Sequence, residues 1–156
     1  MFMAGCHILR GKHIVTGGNM GSFNGYLIKF IKTNSLFPHE FIQRDTYKST
    51  PLQRSEIKAY RDNNNYLHRV TSPNYKTKIE FSTYKLNLSK MRRLRNAVLS
   101  ATDNQQERKI QLQYWDDELL AYRTAWFYMP DKTYSIISIK QNDIAYGAVP
   151  FTFIEY

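Results

Sequence analysis

Apolar and polar residues alternate along most of the chain, which predicts a mainly β protein. Between residues 76 and 84 the alternation is strict, with Ile79, Phe81 and Thr83 on one face. A period of two directs successive side chains to opposite faces of a strand, so that one face can be buried. Similar patterns predict further strands at residues 26–31, 110–115, 122–128, 133–140 and 149–156. Residues 41–47 are expected to form a loop or an irregular strand.

Two alternating runs in the middle of the chain predict an extended hairpin at about residues 54–70. The runs cover residues 55–60 and 66–70, and the sequence Arg-Asp-Asn-Asn-Asn separates them. Asn tolerates the left-handed backbone of tight turns, so an Asn-rich tip between such runs is typical of a hairpin. Residues 43–70 carry too little apolar material to bury alone. We therefore expect an arm that a neighbouring subunit completes.

One flanking α-helix is predicted at about residues 87–101. Asn87 is a favourable N-cap, and Leu86 and Met91 have the spacing of a hydrophobic staple. Apolar residues recur at helical spacing at positions 88, 91, 94 and 98, whereas Lys90, Arg92, Arg93 and Arg95 occupy the other faces. The helix precedes a four-strand meander. This order predicts a small antiparallel β-sandwich or partly open barrel of the mainly β (α+β) class.

Composition limits the chain to one domain and excludes several classes of protein. The chain has 156 residues, of which 42% are hydrophobic and 15% aromatic, too many for a disordered protein. Its one cysteine, Cys6, cannot form an internal disulfide, and no apolar run approaches the roughly 20 residues that span a bilayer. The net charge of +9 is compatible with a polyanionic partner or with contacts to neighbouring subunits. The chain contains no run of five basic residues, which would have favoured a polyanionic partner.

Residues 1–19 differ in composition from the rest of the chain. They hold the only Cys, two of the four His and four of the seven Gly, and they show no strand or helix period. The apolar pair at 8–9 is followed at once by Arg10, which excludes a secretory signal. Gly-Gly-Asn before Met20 can be encoded by a purine-rich ribosome-binding sequence. We expect Met20 to be the initiator and 1–19 to be leader or a flexible arm, with a single β domain at 20–156.

The sequence contains no recognisable motif for catalysis, cofactor binding or metal binding. A nucleophile elbow is missing around the serines that could pair with His39 or His68. A metal site would need Cys6, His7 and His13 with His39 or His68, but their spacing matches no known ligand pattern. Both later histidines are expected to be polar surface residues. The glycines at 17, 18 and 21 lack the Gly-Lys-Ser/Thr of a phosphate loop. We therefore expect no enzymatic activity, catalytic residue, cofactor or metal.

Residues 116–118, Asp-Asp-Glu, form the main acidic cluster of the chain. Three adjacent carboxylates could hold a hard cation or serve in glycoside cleavage. The cluster lacks the glycine and the spaced oxygen ligands of a calcium loop. The favoured interpretation is a solvated hairpin tip, or a knob that forms salt bridges with a neighbouring subunit.

The aromatic strands and the basic helix leave nucleic-acid binding open as an alternative. Stacking on aromatic side chains combined with phosphate contacts is how small barrels hold single strands. The candidate platform consists of Tyr114, Trp115, Tyr122, Trp126, Phe127 and Tyr128. Alternation should place about half of these side chains in the core. The basic residues of the helix are spread around it rather than aligned in one stripe.

Several segments together resemble small tail proteins of bacteriophages that infect Gram-positive bacteria. They are the hairpin residues 61–64 and 67–70, the strand 76–81 leading into 86–91, and the aromatic residues of 114–116, 126–130 and 151–156. The resemblance covers residues 21–156. It implies a fold similar to the phage tail-tube family, a β-sandwich flanked by a helix, and assembly into rings that are often sixfold.

The resemblance implies a structural virion protein of the tail tube or of the distal tail or baseplate. It would be made in the host cytoplasm. Its implied partners are copies of itself in a ring that the family often builds as a hexamer, other tail proteins and, transiently, the passing DNA, but no membrane. Tyr and Arg dominate the energetic centres of interfaces. The predicted assembly interface comprises Arg54, Tyr60, Arg61, Tyr66, Arg69, Arg92, Arg95, Asp116 and Asp117.

Overall fold

A computed structural model describes residues 21–156, and the expected leader and initiator Met20 lie outside the described residues. Within 21–156 the chain forms one α-helix, α1 (Leu88–Ala101), and a short 3₁₀ helix (His39–Phe41). The strands are β1 (Ile28–Phe30), β2 (Ser35–Leu36), β3 (Lys48–Gln53), β4 (Glu56–Arg61), β5 (Leu67–Thr71), β6 (Lys76–Ser82), β7 (Leu86–Asn87), β8 (Thr102–Asn104), β9 (Lys109–Asp116), β10 (Ala121–Tyr128), β11 (Ile136–Lys140), β12 (Asp143–Tyr146) and β13 (Pro150–Glu155). The pairings between these strands are antiparallel.

Eight strands form one open sheet in the order β2-β1-β9-β10-β13-β6-β3, with β8 paired to the start of β9. Its longest hairpin is β9–β10, in register from Ala121 opposite Asp116 to Tyr128 opposite Lys109. The sheet does not close into a barrel. The predicted mainly β fold with antiparallel sheets and one helix is confirmed.

One face of the large sheet carries the hydrophobic core. Cross-strand partners share a face, and the partners Ile110 and Phe127 are both fully buried, as are Ile79 and Phe153. Leu94, Val98 and Ala101 of α1 belong to the same core cluster. The alternation that predicted β6 and β9 therefore marks the buried face correctly.

The helix begins where its cap predicts. Asn87 Oδ1 accepts a hydrogen bond from Lys90 N at 3.0 Å, which satisfies one of the free amides of the first turn. A second amide, Leu88 N, donates to Asp143 Oδ1 at 3.0 Å. Asp143 lies at the start of β12, so this bond links the start of α1 to β12.

The predicted four-strand meander is wrong in its last two strands. β11 pairs with β12, a strand that the sequence did not predict, and β12 pairs with β7 in a separate three-stranded sheet. β13 pairs with β10 and β6 instead. Strand partners are chosen by packing at long range, which local alternation does not encode. The two-residue link between β11 and β12, residues 141–142, therefore closes a local hairpin rather than the large sheet.

The edge strand β3 is a second departure from prediction. Lys48 lies opposite Glu80 and Thr50 opposite Lys78, where the sequence predicted no separate strand. Pro51 and a register shift between Thr50 and Gln53 interrupt the ladder. Proline is tolerated at such an edge because no further strand needs its missing N–H.

Candidate assembly interface

The hairpin of β4 and β5 is the most exposed apolar feature near the predicted interface. It spans the predicted region, and within residues 21–156 its two strands pair only with each other. Ile57 is 67% exposed and Tyr66 is 70% exposed, and Tyr60, Leu67 and Val70 are exposed as well. An isolated two-stranded hairpin is only marginally stable in water. Exposed clusters of large apolar side chains are typical of interaction surfaces.

Polar contacts hold the hairpin tip in one shape. Asp62 accepts hydrogen bonds from His68 Nε2 at 2.8 Å, from Asn64 N at 2.9 Å and from Tyr66 N at 3.0 Å. These bonds, that of His68 first, lower the pKa of the Asp62 carboxyl. Arg61 Nη1 donates to Asn65 O at 2.9 Å. The tip is thus ordered by its own residues before any partner binds.

The strands of the hairpin carry a second set of contacts. Arg69 Nε donates to Glu56 Oε2 at 2.7 Å across the two strands. The ring of Tyr60 stacks on His68 with centroids 5.0 Å apart, and Lys58 Nζ lies 5.1 Å from the Tyr60 centroid. Arg69 and Tyr60 are therefore exposed but already hold defined positions, which reduces the entropy that binding would cost.

The structure connects the base of the hairpin to the acidic turn. Arg54 Nη2 lies 3.6 Å from Glu118 Oε1, and the Arg54 guanidinium lies 5.2 Å from the centre of the Tyr75 ring. Arg54 thus contacts the turn that also carries Asp117, although no spacing in the sequence indicated this contact. Arg92 and Arg95 are exposed on α1, a different element. The predicted interface residues therefore occupy three sites: the hairpin, the acidic turn and the helix.

Asp116 is not part of a solvated tip, and that prediction is wrong. Its side chain is fully buried, because the alternation of β9 continues to its last residue and places Asp116 on the core face. The carboxylate accepts hydrogen bonds from Glu118 N at 2.9 Å, Leu119 N at 3.1 Å and Arg123 Nη1 at 3.2 Å. Asp116 thus holds the turn from inside, while Asp117 is exposed. Partial burial, followed by the charge of Asp116, raises the pKa of Asp117.

His39 is likewise not the polar surface residue that the sequence predicted. Its Nε2 accepts hydrogen bonds from Leu27 N at 3.1 Å and Ile28 N at 3.4 Å. Burial lowers the pKa of His39, and an accepting Nε2 requires the neutral ring with its proton on Nδ1. His39 therefore acts as a structural acceptor for β1. His68, in contrast, is exposed as predicted.

The aromatic platform considered for nucleic acids is divided between core and surface. Tyr114 and Phe127 are fully buried, whereas Trp126 and Tyr128 are exposed on the opposite face of the sheet. There Lys109 Nζ lies 5.1 Å from the Trp126 centroid and 4.7 Å from that of Tyr156. Basic and aromatic groups are therefore interleaved on this outer face, as the nucleic-acid hypothesis requires.

Comparison with known proteins places the chain in a family. A family model described as a family of unknown function, DUF6711, matches residues 20–156. The chain belongs to this family. No curated protein matches this DUF6711 chain.

One solved structure similar to the DUF6711 chain is described as the tail of an empty GTA particle, computed with helical refinement in C6 symmetry. The sequences are 12% identical, the TM-score is 0.48, and the match covers 86% of this chain and 95% of that chain. A likeness at this level fixes neither the fold nor the role of the DUF6711 chain.

Residues 21–156 contain little that points to other kinds of site. No group of three or more His, Cys, Asp or Glu side chains there is arranged to hold a metal ion. In the same stretch, no helix has the length and apolar composition needed to cross a bilayer. The surface features described above are therefore the basis for a functional proposal.

Proposed function

We propose that this DUF6711 protein is a structural subunit of a bacteriophage tail that works by self-assembly. It would form part of the tail tube or of a distal tail or baseplate ring, with six copies as the proposed ring size. Its partners would be copies of itself and other tail proteins, with transient contact to passing DNA, and its place would be the virion. It would turn over no substrate.

The observation that carries this proposal is the exposed apolar hairpin of β4 and β5. Its sequence also contributes to the resemblance to phage tail proteins, through residues 61–64 and 67–70. Aliphatic and aromatic side chains are interspersed with charged ones on both strands, and Ile57 on β4 and Tyr66 at the tip are exposed by about two thirds. An arm of this kind is stabilised when a neighbouring molecule buries its apolar side chains. The charges on it would select the neighbour's orientation.

The decisive experiment removes the hairpin without touching the large sheet. A deletion of residues 48–69 would also remove β3, so it does not separate assembly from folding. Ser72 N donates to Ser55 O at 2.8 Å. A hydrogen bond of the same kind joins the last residue of a β-turn to its first. Replacing residues 56–71 with Asn-Gly should therefore close a tight turn between Ser55 and Ser72.

We expect the full chain to form discrete oligomers in analytical ultracentrifugation and rings in electron micrographs. The hairpin deletion should remain folded by circular dichroism but form smaller or weaker oligomers than the full chain. A paired point variant, Ile57→Thr with Leu67→Thr, should weaken assembly, and the control Leu36→Thr, which alters an exposed leucine elsewhere, should not. Assembly that is unchanged in both hairpin variants would contradict the role that the proposal gives to the hairpin.

A second candidate function, binding of single-stranded nucleic acid, is favoured by Lys109 between Trp126 and Tyr156. If that is the function, oligonucleotides should bind the monomer, and affinity should fall steeply as salt increases. Lys109→Ala and Trp126→Ala should each reduce the anisotropy change of a labelled oligothymidine. Binding that is absent at 50 mM salt would remove this alternative.

A further inference from the structure

An open cavity of about 280 Å³ lies between the second half of α1 and the segment that follows β10. Leu94, Val98, Met129, Val149 and Phe151 form much of its apolar wall. The cavity lies near the start of β9 and the end of β10, since Arg108 and Met129 line it. It is large enough for an apolar side chain with its neighbours.

The charged groups that line the cavity are all basic. They are Arg95, Arg108 and Lys132, and no Asp or Glu is among the lining residues. Arg108 is already paired, with Asp131 at 3.0 Å. Lys132 Nζ lies 4.1 Å from the centroid of Phe151 and donates to Met129 Sδ at 3.7 Å, and no carboxylate within residues 21–156 lies within 4.0 Å of it.

A cation held against an apolar wall favours a ligand that is itself apolar and anionic. Burial, and then the charge of Arg108, lowers the pKa of Lys132 to about 8. Contact with a carboxylate would relieve both effects, because an opposite charge favours the protonated amine. The cavity is therefore complementary to a carboxylate next to an aliphatic side chain.

The turn between β9 and β10 carries this combination. Asp117 and Glu118 are exposed, with Glu118 Oε1 3.6 Å from Arg54 Nη2 of the same chain, and Leu120 is 44% exposed. The turn is fixed from inside by Asp116 and from outside by Gly21 N, which donates to Leu120 O at 2.9 Å. It is thus a preorganised knob, which we call the acidic knob and define as residues 117–120.

The acidic knob and the cavity lie at opposite ends of the same hairpin. β9 has eight residues, so about 26 Å separates the two ends at the usual rise of a strand. A chain cannot place its knob in its own cavity. A second copy can, and a contact between unlike surfaces generates a ring or a filament when it is repeated.

We propose that the acidic knob of one copy docks in the cavity of the next copy. Leu120 contacts the apolar wall, and Asp117 and Glu118 approach Lys132 and Arg95. The partner is a second copy of this chain, so the inference rests on the proposed function and adds to it a head-to-tail interface. The hairpin of β4 and β5 forms a separate contact.

Disulfide trapping tests the contact directly. Leu120→Cys and Tyr134→Cys are introduced together in a Cys6→Ser chain, since Tyr134 lines the cavity and is exposed. The two ends of one chain are too far apart for an internal bridge. Mild oxidation should give a ladder of covalent oligomers on non-reducing gels. Mixing the two single-cysteine chains should give only the mixed dimer. Leu120→Cys with Ser89→Cys, at the other end of α1, should give no ladder.

Charge reversal provides a second test that does not depend on cysteine chemistry. Asp117→Lys with Glu118→Lys should weaken self-association at least about tenfold, and so should Arg95→Glu with Lys132→Glu. Arg95→Glu alone, on an exposed helix face, covers the case in which the Lys132 variant folds poorly. An equimolar mixture of knob-reversed and cavity-reversed chains should recover assembly, because each reversed knob then meets a reversed cavity.

The outcomes separate this inference from the proposed function. Oligomers that form without a ladder, or whose stability is unchanged by either reversal, would overturn the knob-and-cavity contact and leave self-assembly standing. A full chain that stays monomeric at every concentration would overturn both. A ladder together with recovery in the mixture would establish the contact.

Discussion

Arg123 Nη1 donates to Asp116 Oδ2 at 3.2 Å, across the end of the β9–β10 hairpin. The carboxylate is fully buried and also accepts the amides of Glu118 and Leu119. Arg123 Nη2 also lies 4.0 Å from Glu155 Oε1 of β13. One buried carboxylate therefore stabilises both the turn and the pairing of the strands.

Asp116→Ala should destabilise the fold by about 3 kcal/mol, because it leaves two turn amides and a guanidinium without their acceptor. Urea unfolding followed by tryptophan fluorescence measures the change. Asp117→Ala is the matched control, since that side chain is exposed, and it should shift stability by less than about 0.5 kcal/mol. Equal effects of the two variants would show that the buried network contributes little.

Lys132 should make stability rise with pH above 8. Burial holds its folded-state pKa at about 8, below the ordinary 10.5. Between these values the unfolded chain binds more protons than the folded chain, so raising the pH favours folding. Tyrosines also titrate in this range, and the difference between wild type and Lys132→Met isolates the lysine. The advantage of the methionine variant in urea unfolding should be largest below pH 8 and shrink towards pH 10.5.

His39 should make stability fall as the pH decreases through 6.5. Its pKa is lowered in the fold by burial, so the unfolded chain takes up a proton first and protonation favours unfolding. A protonated Nε2 could no longer accept the amides of Leu27 and Ile28. His39→Gln, compared with wild type at pH 7.5 and 5.5, should lose part of the acid sensitivity. An identical pH response of the two proteins would contradict this role.

The hairpin tip provides a prediction for a single titrating group. The hydrogen bond from His68 is the largest cause of the lowered pKa of Asp62. His68→Ala should raise that pKa towards its ordinary value of 3.8, as measured by carbon-detected NMR titration of the carboxyl. Arg69→Ala, which lies on the same strand but does not contact Asp62, is the control and should leave the titration unchanged.

The sequence was informative where local rules determine structure. The cap at Asn87 and the alternation through Ile79 and Phe81 located α1 and β6, because N-caps and strand periods act over a few residues. The exposed hairpin followed from its Asn-rich tip for the same reason. These elements required no knowledge of their partners.

The rest depends on contacts between distant residues. β3 contains Pro51 and mostly polar side chains, and only its pairing with β6 makes it a strand. Asp116 resembles its neighbours Asp117 and Glu118 in the sequence, and only the register of β9 against β10 buries it. The basic cavity combines a helix, a turn and a loop that are separate in the sequence. No local pattern could have placed Arg95 and Lys132 around the same cavity.

The large sheet terminates in β2, which has two residues, and in β3, which contains a proline and a register shift. Short or irregular borders offer few consecutive free amides and carbonyls to a strand from another molecule. Two copies of the large sheet therefore gain little by pairing their edge strands into one continuous sheet. Crowding many copies together should then yield contacts chosen by side-chain shape and charge, with little tendency towards fibrous aggregates through that sheet.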